Sequence, residues 1–204
     1  IDRTLAPRLS AALQDVTNVD LVFADALELD LSVLAPAPTK LVANLPYNVA
    51  TPIVVESLIG ANTLAYWCVM VQREVAERFF AAPSTKAYGA VSVIVQLHAQ
   101  RTGSHPLART VFHPPPNVDS ALVAFKRRKG AAPDPSVRGV VTGAFAHRRK
   151  TLANSLSLTG RAERPQVIAA LAELDLPADV RAEALPPEAF PVLTKALTRA
   201  EASR

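Results

Sequence analysis

The sequence predicts an α/β fold, a doubly wound sheet followed by a small all-helical unit. Three observations predict it. Short β-rich runs end in polar residues: Val19 to Ala24 runs into Asp25, and Lys40 to Ala43 runs into Asn44, with a longer apolar run from Leu64 to Val71. Segments of helical period separate these runs. Beyond a linker at Lys129-Gly-Ala-Ala-Pro-Asp-Pro135, the remaining segments are helical in pattern. Such a sheet carries its site at the carboxyl edge of its strands.

Leu5, Leu9, Ala12 and Leu13 recur at helical spacing, so a first helix is expected near 4–15, with Thr4 as a cap and Pro7 tolerated in the first turn. Thr51-Pro52 opens a second helix that Gly60 closes. Arg73 to Ala81 is helical, with Val75, Ala76, Phe79 and Phe80 as its apolar face. Tyr88 to Gln100 fits a buried helix as well as an alternating strand, and periodicity leaves both open. Val118 to Phe125 reads as a strand after the loop Pro114-Pro-Pro116, so the α/β unit is taken as residues 1–128. Residues 129–204 form the helical unit, with helices near 135–147, 148–158, 165–175 and 186–200. Gly139 and Gly143 read as points of close helix packing.

At 204 residues and 50% apolar content the chain can bury a sizeable core. Its single cysteine, Cys68, excludes an internal disulfide and is read as a buried thiol, which fits a reducing compartment and no disulfide-linked partner. No apolar run approaches a membrane span and no signal-peptide pattern opens the chain, so a cytoplasmic location is expected. Charge is uneven. Residues 1–125 hold 8 Lys+Arg against 10 Asp+Glu, a net of −2, whereas residues 126–204 hold 14 against 8, a net of +6. A basic module beside a near-neutral one suits a polyanionic substrate, because phosphate contacts give affinity without reading sequence. His98, His105, His113 and His147 have no metal-site spacing, and no metal is expected.

The most informative residues are Asn44-Leu45-Pro46-Tyr47, at a strand end. An exocyclic amine on adenine is a poor nucleophile because its lone pair is delocalised into the ring. An Asn side-chain oxygen and a carbonyl of a Pro-fixed turn can each accept one N–H, favouring a pyramidal nitrogen whose lone pair points at an electrophile. The adjacent Tyr supplies a stacking face. This is the chemistry of N6-adenine methylation, with S-adenosylmethionine as the donor; an ordinary Pro-containing turn is the alternative that these four residues alone leave open.

The stretch Leu41-Val-Ala-Asn-Leu-Pro-Tyr-Asn-Val-Ala-Thr-Pro-Ile53 resembles the catalytic motif of the KsgA/RsmA family of rRNA adenine N6,N6-dimethyltransferases. Three later segments resemble the same family in its order: Val71-Gln-Arg-Glu-Val-Ala-Glu-Arg78 with Lys86-Ala-Tyr-Gly89, Val111-Phe-His-Pro-Pro-Pro-Asn-Val-Asp-Ser-Ala121, and Phe145-Ala-His-Arg-Arg-Lys-Thr-Leu-Ala-Asn-Ser-Leu156. The resemblance implies a Rossmann-like methyltransferase sheet and a helical RNA-binding C-terminal domain. It also implies methyl transfer from S-adenosylmethionine to two adjacent adenosines near the 3′ end of small-subunit rRNA, in an assembling 30S particle. The family's Gly-rich donor loop and ribose-binding acid have no counterpart among the seven glycines, none of which stands in a G-x-G pattern. The chain is therefore expected to lack the first strand or two of that sheet, with Ile1 following the acidic position, and to be impaired in donor binding.

The resemblance assigns Asn44, Leu45, Pro46 and Tyr47 to the target amine and base, and Phe112 to the opposite face of a flipped base. A core Phe is the alternative. Ile1, Asp25, Ala26 and Asn44 are expected at the donor, with Asp25 accepting from the donor's adenine amine and the next N–H reaching a ring nitrogen. A turn cap is the other reading of Asp25. Lys126, Arg127, Arg128, Arg148, Arg149 and Lys150 are the expected RNA contacts, against the alternative of solvated charge runs. Arg73, Arg78 and Lys86 are a third candidate contact surface, and Tyr66 and Trp67 are expected in the core. A rival reading is the macrolide-resistance 23S rRNA methyltransferase family, which shares the Asn-(Leu/Ile)-Pro-Tyr and Phe-x-Pro-x-Pro motifs. A rival of another class is a non-enzymatic RNA-binding, assembly or transcription factor of this fold.

Overall fold

The computed structural model describes residues 3–130 and 134–202. Four strands, β1 (Lys40–Asn44), β2 (Tyr66–Gln72), β3 (Ala99–Leu107) and β4 (Ser120–Arg127), form one sheet in the order β1-β2-β4-β3. β1 and β2 are parallel, joined through helix α2 (Ala50–Gly60), whereas β4 runs antiparallel to both β2 and β3. Before them lies α1 (Ala6–Ala12), with Pro7 in its first turn and Leu5, not Thr4, at the N-cap position.

β2 shows the two-residue period of a half-covered strand. Trp67, Val69 and Val71, with Ala121, Val123 and Phe125 of β4, are buried under α2 and α3 (Arg73–Phe79), whereas the alternate residues Tyr66, Cys68 and Met70 are not. Trp67 stacks on Phe125 at 5.4 Å and donates its indole N–H to Ser57 of α2 at 3.0 Å. Two sequence expectations are corrected by this alternation. Tyr66 is 54% exposed while Trp67 is 2% exposed, and Cys68 is partly exposed, because both Tyr66 and Cys68 point to the less covered face.

A third correction concerns residues 19–24. No strand forms there, and Val19, Leu21, Val22 and Phe23 are exposed. A strand exists through its ladder, and among the described residues β1 pairs only with β2, leaving Val42 78% exposed on the open edge.

The ambiguous segment resolves as α4 (Ala90–His98), its helix packed on α2 and α3. Ser92 and Gln96 donate to carbonyls at the end of α3, which fixes the two helices side by side. His98 is buried with its Nδ1 2.7 Å from the Ile94 carbonyl, and burial holds the imidazole below the ordinary histidine range. β3 follows at once and is absent from the sequence reading. It is polar, contains Gly103 and Pro106, and carries a register shift between Arg101 and Gly103, features tolerated because it is an edge strand.

Helices α5 (Pro135–Phe145), α6 (Leu152–Leu158), α7 (Arg164–Glu173) and α8 (Ala189–Ala202) build the helical part. Asp134 caps α5 through Ser136 N–H, and Thr151 caps α6 through Asn154 N–H. A Cβ on Gly143 would lie 2.8 Å from both Arg161 and Thr159, so the expected close packing is real and is made against the end of α6 and its following loop. The core of these helices is continuous with Val55, Tyr88, Val93 and Ile94 of the sheet unit. Tyr88 donates to the Leu185 carbonyl at 2.8 Å, and Arg138 makes a two-pronged ion pair with Glu56. No helix among the described residues is long and apolar enough to cross a membrane.

Candidate functional site

Register places the functional residues. Asn44 is level with Met70, which is level with Leu122, and Gln72 is level with Ser120. The end of β1, the end of β2 and the start of β4 therefore share one sheet edge. At that edge Asn44, Leu45, Pro46, Tyr47, Met70, Phe112, Pro114 and Pro116 line a cleft of about 350 Å³. The sequence assigned five of these to the target base, and the fold brings all five together although Phe112 lies more than sixty residues downstream of Tyr47.

Local bonding shapes the turn. Leu45 is buried and its N–H continues the ladder to the Met70 carbonyl at 3.2 Å. Val49 N–H donates to the Pro46 carbonyl at 3.1 Å, closing the turn that leads into α2. No backbone N–H among the described residues donates to the Leu45 carbonyl, and the exposed Asn44 carboxamide makes no hydrogen bond there. Two acceptors thus stand open side by side at the mouth of the cleft. Tyr47 is half-buried, and its hydroxyl lies 2.6 Å from Oγ of fully buried Ser120. That contact, which sequence reasoning did not foresee, ties the stacking ring to the first residue of β4. A double-mutant cycle with Tyr47→Phe and Ser120→Ala is expected to show a coupling of about 1 kcal/mol in urea unfolding. Additive effects would mean the ring is not anchored through this bond.

On the donor side, Asp25 Oδ1 accepts Leu27 N–H at 2.9 Å and the Asp25 carbonyl accepts from Glu28 and Leu29. The turn-cap reading is therefore present in the structure. The second carboxylate oxygen and the Ala26 N–H have no partner among the described residues, so they retain the acceptor and donor that an adenine edge requires. Ile1 lies outside the described residues.

The basic residues divide. Lys126 is level with Tyr66 and Lys40, at the end of the sheet away from Asn44. Four residue-to-residue steps of strand carry Lys126 away from Leu122, roughly 13 Å. Arg127 is corrected more strongly: it turns inward, donating to the carbonyls of Leu64, Ala61 and Leu58 at 2.7, 2.9 and 3.0 Å, with its guanidinium 5.1 Å over Trp67. It is a scaffold clamp, because all three nitrogens are already bonded. Arg128 pairs loosely with Glu188 at 3.8 Å. Arg148 donates to the carbonyls of Lys86 and Tyr88 at 3.2 and 3.0 Å, and Arg149 and Lys150 are exposed. Arg148, Arg78 and Lys86 line one cleft of about 770 Å³ with Glu74 and Glu77. No group of three or more His, Cys, Asp or Glu residues among the described ones is placed to hold a metal.

A profile of the family described as "Ribosomal RNA adenine dimethylase" matches residues 1–190. This chain belongs to that family. A ribosomal RNA small subunit methyltransferase A from Rubrobacter xylanophilus is 42% identical over 201 residues, covering 97% of this chain and 75% of the relative. In fold, the chain is similar to a dimethyladenosine transferase from Plasmodium falciparum, with a TM-score of 0.80 at 19% identity over 98% of this chain and 80% of that one. It is also similar to the 23S rRNA methyltransferase ErmE, with a TM-score of 0.64 at 24% identity over 97% and 80% of the two chains. Members of the dimethylase family are S-adenosylmethionine-dependent enzymes, and the Rossmann-like methyltransferase class expected from the sequence holds.

Proposed function

We propose that this chain carries the target-base site and the RNA-binding region of an enzyme that dimethylates N6 of two adjacent adenosines near the 3′ end of small-subunit rRNA. The observation that carries the reading is one cleft lined by Asn44, Leu45, Tyr47 and Phe112, in which the Asn44 carboxamide and the Leu45 carbonyl keep free acceptors among the described residues. S-adenosylmethionine supplies the methyl group when bound. Asp25 and Ala26 are suited to its adenine edge, and Asn44 lies at the target-base cleft.

In this mechanism the target adenine enters the cleft, with Tyr47 on one face and Phe112 on the other. The Asn44 side-chain oxygen and the Leu45 carbonyl accept its two N–H groups and draw the lone pair out of the ring. Pro46 fixes the turn that aims the Leu45 carbonyl, and the buried Leu45 side chain anchors it. Positioning does most of the work in an in-line displacement. The amine becomes cationic and then loses a proton readily to water, so no side-chain base is required.

Residues 129–204 are assigned to RNA binding, with Arg149 and Lys150 the freest cations of the cluster and Lys126 and Arg128 on the remote edge. The enzyme is placed in the cytoplasm, where small subunits assemble. The small-subunit relative at 42% identity favours this substrate over the 23S reading, since the likeness to ErmE at 24% carries fold alone. The test, on the enzyme with its donor-binding loop in place, is single-turnover transfer of labelled methyl from S-adenosylmethionine to small-subunit particles and, separately, to large-subunit rRNA. Label at adenosine N6 in the small subunit is expected. Label only in 23S rRNA would transfer the assignment to the rival family, and label in neither would refute the reading.

Binding through phosphates weakens with salt in proportion to the contacts made. Replacing Arg148, Arg149 and Lys150 together by Ala is expected to flatten that slope by about two units, because Arg148 is partly held by the Lys86 and Tyr88 carbonyls. An unchanged slope in a salt series with small-subunit particles would make these residues a solvated surface only.

A further inference from the structure

A second pocket of about 470 Å³ opens beside the target-base cleft, and of its lining only Arg73 was a candidate RNA contact from the sequence. Its wall is the loop that also carries Phe112, since Arg109 and Asn117 to Asp119 line this pocket while Phe112, Pro114 and Pro116 line the other. The two are joined a second way. Asp119, which lines this pocket, immediately precedes Ser120, whose hydroxyl holds Tyr47.

Three carboxylates, Glu74, Glu77 and Asp119, and two arginines, Arg73 and Arg109, line it. Glu74 pairs with Arg78 at 2.6 Å, while Arg73 pairs with Asp119 at 3.3 Å and with Glu77 at 3.9 Å. Asp119 also accepts the Arg109 N–H at 3.4 Å, which holds that loop in place. The Arg109 guanidinium itself makes no hydrogen bond or ion pair among the described residues. It is an exposed, unpaired fork at the rim of a nucleotide-sized cavity, with the Asn117 amide lining the same cavity.

Resting on the reading of the neighbouring cleft as the target-base site, we infer that this pocket seats the nucleotide adjoining the flipped adenosine, with Arg109 on the intervening phosphodiester and Asn117 on the sugar or base edge. A flipped base carries its flanking phosphates to the rim of its cleft, and an enzyme acting on adjacent adenosines must hold one neighbour while the other is in the site. The three carboxylates keep the cavity from being a general anion trap, so a phosphodiester is received only at the rim, on the unpaired Arg109 guanidinium.

The test uses this chain and a short hairpin RNA containing two adjacent adenosines, with and without one neutral methylphosphonate linkage beside the target adenosine. Unmodified RNA is expected to bind Arg109→Ala about tenfold more weakly than the original chain, with a salt slope smaller by about one unit. The neutral linkage should weaken the original chain by a similar factor and leave Arg109→Ala nearly unchanged. Arg109→Lys should restore part of the loss. Equal weakening of both proteins by the neutral linkage would overturn the inference. So would unaltered binding by Arg109→Ala. Hairpin binding by neither protein would instead fail the function reading on which the inference rests, and the inference with it.

Discussion

Asn44→Ala is expected to slow the chemical step of methylation by about 10²–10³-fold while leaving RNA affinity nearly intact. Asn44 is exposed at the cleft mouth and its carboxamide bonds to nothing among the described residues, so its removal costs the fold little. What it removes is one of two acceptors that hold the target amine pyramidal. The remaining acceptor, the Leu45 carbonyl, belongs to the backbone and survives the substitution, which is why loss should be partial. Tyr47→Ala should behave differently, weakening base binding by about 1–3 kcal/mol through lost stacking. Single-turnover methylation across RNA concentrations separates the two effects. An Asn44→Ala enzyme with an unchanged chemical step would remove Asn44 from amine polarisation.

The second large effect is on stability. Arg127→Ala should destabilise the fold by about 2–4 kcal/mol, because three carbonyls, one in the last turn of α2 and two in the loop to β2, lose a charged donor at once and the Trp67 face loses its cation. Arg127→Lys should recover only a fraction, since an ammonium cannot span three acceptors as a fork does. Urea unfolding measures both. The salt dependence of RNA binding by the folded variant should match that of the original chain. A stable Arg127→Ala protein with a flattened salt slope would return Arg127 to the RNA surface and refute the clamp.

The sequence by itself determined three of the four strands, the helices other than α4, and the candidate residues that meet at the sheet edge. Those features are local: a strand end, a Pro-fixed turn and an Asn need only neighbours in the chain to be recognised, and the helical segments after Pro135 carry their own caps and period. Tertiary structure decided what depends on partners. Residues 19–24 have the composition of a strand, yet they form none because no ladder reaches them among the described residues, whereas the polar Gly- and Pro-containing β3 does form because β4 offers it an edge. Arg127 looked like its neighbours Lys126 and Arg128. Strand alternation turned it inward onto three carbonyls, a fate set by which face of β4 each residue occupies. The same holds for Ser120, which stands in a family-like motif but was given no role, and for Arg109, which no motif marks: one became the anchor of Tyr47 and the other an unpaired cation beside the cleft, because sheet register and loop closure, not sequence proximity, bring residues from distant segments to one edge.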